Sequence, residues 1–319
     1  MLRSFFIYLS KAGWARRIVM NWSVAQRMSS RFVAGENLDQ AVEAIKALNE
    51  QGIHATLDHL GENVTTPEGA VRATEEVLEI LERIAAEGIR SGVSVKLSQI
   101  GLVLDVDLCR ENLFNILSRA RKLGIYVRID MEDSSLVERT LSCYFRALEE
   151  DFRGTVGIVI QSYLYRSDDD VRRILDQEGT IRLCKGAYKE PPSVAFPKKK
   201  EVDQNFDHLT TLLLDRSLEV GDPISPDGVF PPIPALATHD EDRIDFAVDY
   251  AKRIGLPQEQ MEFQMLYGIR SELQLDLVEQ GYPVRVYVPY GEEWYPYFTR
   301  RLAERPANLW FFISNYFRG

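Results

Sequence analysis

The stretch from Val93 to Met131 reads VSVKLSQIGLVLDVDLCRENLFNILSRARKLGIYVRIDM. It opens on a short β-type run, Val93 to Leu97, and closes on another, Tyr126 to Met131, with a helix from about Asp107 to Leu123 between them. Apolar, β-branched runs that alternate with helices are the pattern of parallel strands covered by helices. Upstream, Ile53 to Asp58 gives a strand. Thr66 and Pro67 then read as N-cap and first residue of a helix that runs to Gly88, with Val77, Leu81 and Ile84 apolar. Downstream, Val156 to Gln161, Thr180 to Cys184, Ala235 to Thr238, Glu262 to Leu266 and Val284 to Val288 complete a set of eight strands, with helical patterns between them. Eight such units predict an α/β protein with a closed (β/α)8 TIM-type barrel. A doubly wound sheet is the alternative, but it wants a Gly-rich turn after the first strand, and His59-Leu60-Gly61-Glu62 is not one.

A further helix precedes the barrel. Leu38, Ala41, Val42, Ile45 and Leu48 form its apolar stripe over Asn37 to Asn49, and Gly52 ends it. The expected organisation is a single domain, with lead-in helices over 1–52 and the barrel over 53–319. Two proline-rich stretches interrupt the pattern. Lys189 to Val202 follows the fifth strand, on the rim where barrel active sites lie, and reads as an irregular cover. Asp222 to Pro234 falls on the opposite rim and reads as structural.

The net charge of −10 argues against nucleic acid as a partner. Three cysteines without a CxxC argue against a disulfide framework or zinc knot and fit a reducing, cytoplasmic setting. The first 35 residues depart from this acidic balance. Arg3, Lys11, Arg16, Arg17, Arg27 and Arg31 precede the first acid, Glu36, and Trp14, Ile18 and Trp22 recur at helical spacing. A presequence, a membrane-surface helix and a lead-in helix packed on the domain compete for this segment. The lead-in helix is favoured; the membrane reading, peripheral contact with the inner face of the cell membrane, is second.

Functional residues of such barrels gather at the C-terminal strand ends. Here those ends are polar: Lys96; Asp130 with Glu132; Gln161 and Ser162; Arg182 and Lys185, followed by Gly186-Ala187-Tyr188; Thr238-His239-Asp240; Gln264; and Tyr287. So many in register suggest a large polar ligand, although Lys96 and Asp130 would also be explained as a simple cross-strand pair, and His239 as a structural histidine. Four scattered histidines show no metal spacing, so no metal is expected. Near the C-terminus, WYPYFTRRLAERP (Trp294 to Pro306) is a helix that puts Tyr297, Arg300, Arg301 and Glu304 on one face. Two guanidiniums beside a flat ring suit a small molecule with an acidic end and an apolar body. A solvated face with intrahelical ion pairs has the same spacing.

The motifs VSVKLS (Val93 to Ser98), RIDMED (Arg128 to Asp133), RLCKGAYKEP (Arg182 to Pro191), ATHD (Ala237 to Asp240), FQMLYGI (Phe263 to Ile269) and YFTRRLAE (Tyr297 to Glu304) resemble, in the same order, those of proline dehydrogenases of the monofunctional bacterial type. The resemblance runs from about Arg31 to the last helix. It implies a distorted barrel that binds FAD non-covalently and oxidises L-proline to Δ1-pyrroline-5-carboxylate by hydride transfer from C5 to the flavin N5. This is the first step of proline catabolism to glutamate, with electrons passed to a membrane quinone. By the same resemblance, Lys96, Arg300 and Arg301 match residues that bind the proline carboxylate, and Tyr188, Leu266, Tyr287 and Tyr297 match those around its ring. Asp130 and Arg182 match active-site positions. Met131, Gln161, Arg182, Lys185, Gly186, Ala187, Thr238 and His239 match positions at the flavin. Whether Asp130 acts as a base or only orders the site stays open. Cys184 stands where valine is expected and reads as a packing residue. A Schiff-base lyase using Lys96 or Lys185, and a barrel that only binds an amino acid or flavin, are the competing readings; the lyase leaves the arginine pair and Gln161 without a role.

Overall fold

Thr66 accepts a hydrogen bond from the Gly69 N–H at 3.1 Å, Pro67 follows at the first turn, and Gly88 closes the helix in the left-handed region (φ 62°). Cap, proline and glycine thus define α2 (Pro67–Glu87), as the sequence predicts. The structure is a computed structural model that describes residues 30–61, 64–221 and 228–304, the last five as backbone only. Asn37 likewise caps α1 (Leu38–Glu50), whose buried Ala41, Val42 and Ile45 face inward; Gln51, one residue before Gly52, is its C-cap. Asp105 caps α3 (Val106–Leu123). The remaining helices are α4 (Val137–Glu149), α5 (Ser167–Leu175), α6 (Lys199–Val220), α7 (Glu241–Ile254), α8 (Ser271–Glu279) and α9 (Trp294–Glu304).

The strands β1 (His54–His59), β2 (Ser91–Lys96), β3 (Val127–Asp130), β4 (Val156–Gln161), β5 (Thr180–Cys184), β6 (Pro234–Ala237), β7 (Glu262–Leu266) and β8 (Val284–Tyr290) run round a closed parallel barrel in chain order. β8 pairs with β1 over all six residues of the latter and closes the ring. The predicted strands are all present: β4, β5 and β7 match to the residue, and the ends of the others shift by at most two.

Alternate strand residues separate two environments. Leu57, Val95, Ile129, Ile158, Leu183, Phe263 and Val286 are buried with the apolar helix faces in one core. Burying each such side chain contributes about 1.5–3 kcal/mol. Their neighbours on the same strands fill the lumen, and many are polar. Arg182 on β5 reaches Asp130 on β3 and Gln264 on β7, neither of which is a neighbouring strand, so these contacts cross the barrel. Deeper in, Glu262 and Arg285, 1% and 2% exposed, form a two-pronged ion pair at 2.9 and 3.0 Å. Pairing of this kind offsets the cost of holding charges so far from water.

The outer ring accounts for the expected distortion. α1 lies against β1 and β8, in the position between the last strand and the first. α9 buries Trp294, Tyr295, Tyr297 and Phe298 and sends Tyr297 to the barrel mouth. Residues 30–37 tie the two together: Ala34 N–H donates to Pro289 O at 2.9 Å, and the Phe32 and Phe298 rings lie 6.2 Å apart. The basic segment before them, with Trp14, Ile18 and Trp22, lies outside the described residues.

One loop expectation changes. Lys189 to Val202 is not irregular throughout: α6 starts at Lys199, where the Lys198 N–H donates to Glu201 at 3.2 Å. Its first part is pinned as a side wall, by Phe196 N–H to Tyr163 O at 2.8 Å and by Glu190 accepting from Ser134 N–H at 2.8 Å. In the second stretch, residues 222–227 lie outside the described residues. The remainder closes the far end of the lumen, where Arg285 donates to Gly228 O at 2.6 Å and the Phe230 ring meets Tyr126 edge-on.

Candidate active site

Register puts Lys96 directly beside Asp130, and their ion pair spans 3.4 Å. The cross-strand pair expected from sequence therefore exists, but it is one link of a longer column. From the depth of the lumen upward, Glu262 accepts from Gln264 Nε2 (2.5 Å), and Gln264 Oε1 accepts from Arg182 Nε (2.6 Å). Arg182 Nη1 then donates to Asp130 Oδ1 (2.9 Å), and Lys96 bridges Asp130 to Asp58 Oδ1 (2.8 Å). Ser94 Oγ and Tyr287 OH each donate to Asp130 at 2.7 Å, and the Arg182 guanidinium lies 5.2 Å from the centre of the Tyr287 ring.

The charges in this column set one another. Burial opposes ionisation of Asp130, but Lys96 and Arg182 outweigh it and hold the carboxyl below its ordinary value. Burial also works against the Lys96 ammonium, which the neighbouring carboxylates and Tyr287 nevertheless hold well above its ordinary value. Asp58 goes the other way: burial, helped by Asp130, raises it in spite of Lys96. Two carboxyls on either side of one ammonium are thus driven apart.

Above the column opens a cavity of about 820 Å³. Lys96, Asp130, Arg182 and Tyr287 form its floor. Tyr188, Leu266 and Tyr297 border it, as do Met131, Gln161, Lys185, Gly186, Ala187, Thr238 and His239. The structure therefore gathers at one mouth all the predicted site residues whose side chains it describes. Arg300 and Arg301 stand on α9, with side chains outside the described residues. Cys184 corrects a prediction in part: it packs against the core but also borders the cavity, and burial pushes its thiol up to about 12.

The cavity wall is built from polar side chains and close-packed backbone. Gly186 has φ +109°, and a Cβ there would stand 2.5 Å from the Tyr163 ring, so only glycine lets the chain pass. Gln161 donates to Met131 O at 3.2 Å, while its buried Oε1 has no protein donor, an unmet acceptor at the cavity edge. His239 Nε2 accepts from the Leu266 N–H at 3.0 Å, which places the proton of the neutral ring on Nδ1 and supports its structural reading. Lys185 pairs with Asp240 at 2.5 Å and with Asp203, and Lys199 joins both acids.

Sequence reasoning missed three parts of this site. Asp58, 1% exposed, is the next-to-last residue of β1, at a polar strand end that the strand-end rule covers. Ser94 lies mid-strand and looks unremarkable until register sets it beside Arg128 and two residues from Lys96. Lys199 lies in the run Lys189 to Val202 that reads as loop, and Asp203 follows directly after it; their i, i+4 spacing is the available signal.

The sequence profile of the family described as proline dehydrogenase matches residues 41–313. The chain belongs to this family. Proline dehydrogenase 2 of Bacillus subtilis (strain 168) is 41% identical over 312 residues, covering 97% of this chain and 96% of that one. The proline dehydrogenase of Deinococcus radiodurans is 40% identical over 302 residues, covering 93% and 91%. Among solved structures, proline utilization A from Bdellovibrio bacteriovorus, inactivated by N-propargylglycine, superposes with a TM-score of 0.79 at 25% identity over 91% of this chain. The chain spans only 33% of the length of that larger protein. As a proline dehydrogenase, this chain is an oxidoreductase, and the barrel mouth described above is the part of it in which polar strand ends converge.

Proposed function

We propose that this proline dehydrogenase binds FAD non-covalently and oxidises L-proline to Δ1-pyrroline-5-carboxylate, with electrons passing on to a membrane quinone. The observation that carries the reading is the convergence on one cavity of the residues the family resemblance assigns to proline and to flavin. When bound, the flavin supplies the two-electron acceptor for the hydride that leaves C5 of proline. Met131, Gln161, Lys185, Gly186, Ala187, Thr238 and His239 would hold it, with the unmet Gln161 acceptor suited to a ring N–H. Arg182 brings positive charge to the same wall and so favours an electron-rich ring. Lys96 and the arginines of α9 neutralise and orient the substrate carboxylate. Tyr188, Leu266, Tyr287 and Tyr297 cover the pyrrolidine and exclude water. The lyase reading is disfavoured, because a Schiff-base lysine must be neutral and Lys96 is held charged. Cytoplasmic location, with the basic N-terminal segment touching anionic lipid near the quinone, belongs to the same proposal; among the described residues no helix is long and apolar enough to cross a membrane.

The pure protein is expected to be yellow and to bleach when L-proline is added without oxygen; an unbleached flavin would sink the reading. Acid precipitation should release free FAD, since the Cys184 thiol stays protonated and thiolate is the attacking form. Flavin that stays with the precipitate would defeat non-covalent binding.

Substrate choice gives a second expectation. Tyr297 borders the cavity and is 6% exposed, so it occupies volume that a hydroxyl on C4 of the ring would need. Tyr297→Ser should weaken proline use and narrow the gap between proline and trans-4-hydroxy-L-proline by about tenfold or more. The measurement is kcat/KM for both substrates in both proteins, and an unchanged ratio removes Tyr297 from the ring pocket.

A further inference from the structure

Two carboxyls flank Lys96, and they are differently furnished. Asp130 accepts from Ser94 Oγ, Tyr287 OH, Arg182 Nη1 and Lys96 Nζ, at 2.7, 2.7, 2.9 and 3.4 Å. A carboxylate with four donors, two of them cations, has no lone pair to spare for a proton. Asp58 has Lys96 Nζ at 2.8 Å and borders the same cavity while 1% exposed. Tyr287 also hydrogen-bonds Asp58, which makes two donors against four on Asp130; Asp58 therefore keeps lone pairs that can take a proton, and its burial favours that neutral form. The charged and titratable groups around it are Lys96 on β2, Asp130 on β3, and Tyr287 and Tyr290 on β8.

Resting on the proposed oxidation of proline, the chemistry requires a proton acceptor. Proline in neutral solution carries two hydrogens on a cationic nitrogen, which has no lone pair with which to expel a hydride. We propose that Asp58 takes this proton and that Asp130 remains an anion throughout. One N–H bond breaks, and an O–H bond forms on Asp58. The electron pair left on nitrogen becomes the C=N bond as C5 gives up its hydride, so proline loses two electrons to the proposed flavin. Lys96 keeps its charge and steadies the accepting oxygen. Asp58 is then a catalytic residue, and Asp130 a positioning one that holds Lys96, Arg182 and Tyr287.

The test is Asp58→Asn, compared with the wild type in the rate of anaerobic bleaching by proline as a function of pH. A second readout is affinity for tetrahydrofuran-2-carboxylate, the ring-oxygen counterpart of proline, which has no N–H proton to give. In the wild type, kcat/KM should rise with pH along a limb set by a carboxyl above its usual range. Asp58→Asn should lose about a hundred- to ten-thousandfold near neutral pH. It should recover only in alkali, where proline sheds the proton to water, and should bind the analogue within about threefold of wild type. A profile parallel to the wild type would overturn the proposal, and so would a loss of analogue affinity as large as the loss of rate. If the asparagine variant does not hold flavin, Asp58→Glu serves instead: the limb should persist at a lower rate, and its disappearance would count against Asp58. A wild type that proline does not bleach would instead defeat the proposed function itself.

Discussion

Asp130→Ala should lower stability by about 3–5 kcal/mol and reduce kcat/KM for proline about a thousandfold or more. The cause is what the carboxylate leaves behind. Arg182 is 6% exposed and Lys96 stands in the same closed lumen, so removing Asp130 leaves a guanidinium uncompensated and Ser94 and Tyr287 without their acceptor. Breaking one side of a buried pair costs far more than the pair contributed. The activity loss follows because the two oxygens of this one carboxylate place Lys96 and Arg182. pH separates this from a general packing defect. The Asp130 carboxyl is lowered in the folded protein, so its contribution is fully present above the ordinary carboxylate value. That contribution is lost as pH falls through the lower folded value. The gap between wild type and variant in urea unfolding should therefore be full at pH 7 and shrink on acidification below about 4. Equal midpoints at pH 7 would mean that Asp130 does not hold the column together.

The parts of this molecule that were legible in its sequence are those written locally. Thr66-Pro67 and Gly88 bracket α2 because cap, proline and glycine each act within one turn. The β-branched runs are legible because their outward residues must match apolar helices. The lumen is less so. Arg128, Glu262 and Arg285 look like surface charges interrupting strands until closure of the barrel buries them, pairing Arg285 with Glu262 and turning Arg128 to backbone carbonyls, and no local rule says which partner each meets. Asp58 was passed over for a related reason, since a lone acid at a strand end looks like the start of a turn. Lys199 stands behind prolines in a lysine run that reads as loop although α6 has already begun, and Asp203 comes directly after that run. The placing of α9 at the mouth rather than on the flank depends on α1 occupying the gap between β8 and β1, a contact between segments some 240 residues apart in sequence.

That placing gives the final expectation its force. Arg301 is one helical turn beyond Tyr297, and Tyr297 borders the cavity. Helical spacing then puts Arg301 on the same face of α9 as Tyr297, one turn farther along, the face that the proposed function turns to the substrate. In the proposed function its partner is a carboxylate, whose two oxygens a guanidinium can meet together through parallel N–H donors. A lysine keeps the charge and the flexible stem but offers a point, and it cannot fix the plane of the carboxylate. Arg301→Lys is therefore expected to lose a charge-assisted hydrogen bond worth about 1.5–3 kcal/mol, which is roughly ten- to hundredfold in kcat/KM. The loss should appear mainly in KM, because the carboxylate is gripped in the ground state as well as during hydride departure. The variant should stay folded and yellow, since the column from Glu262 to Asp58 is built without this residue. Steady-state kinetics with proline, set beside the flavin spectrum of each protein, decide the matter. A variant with unchanged KM would take Arg301 out of the carboxylate clamp and leave Lys96, already shared between Asp58 and Asp130, as the substrate's cation.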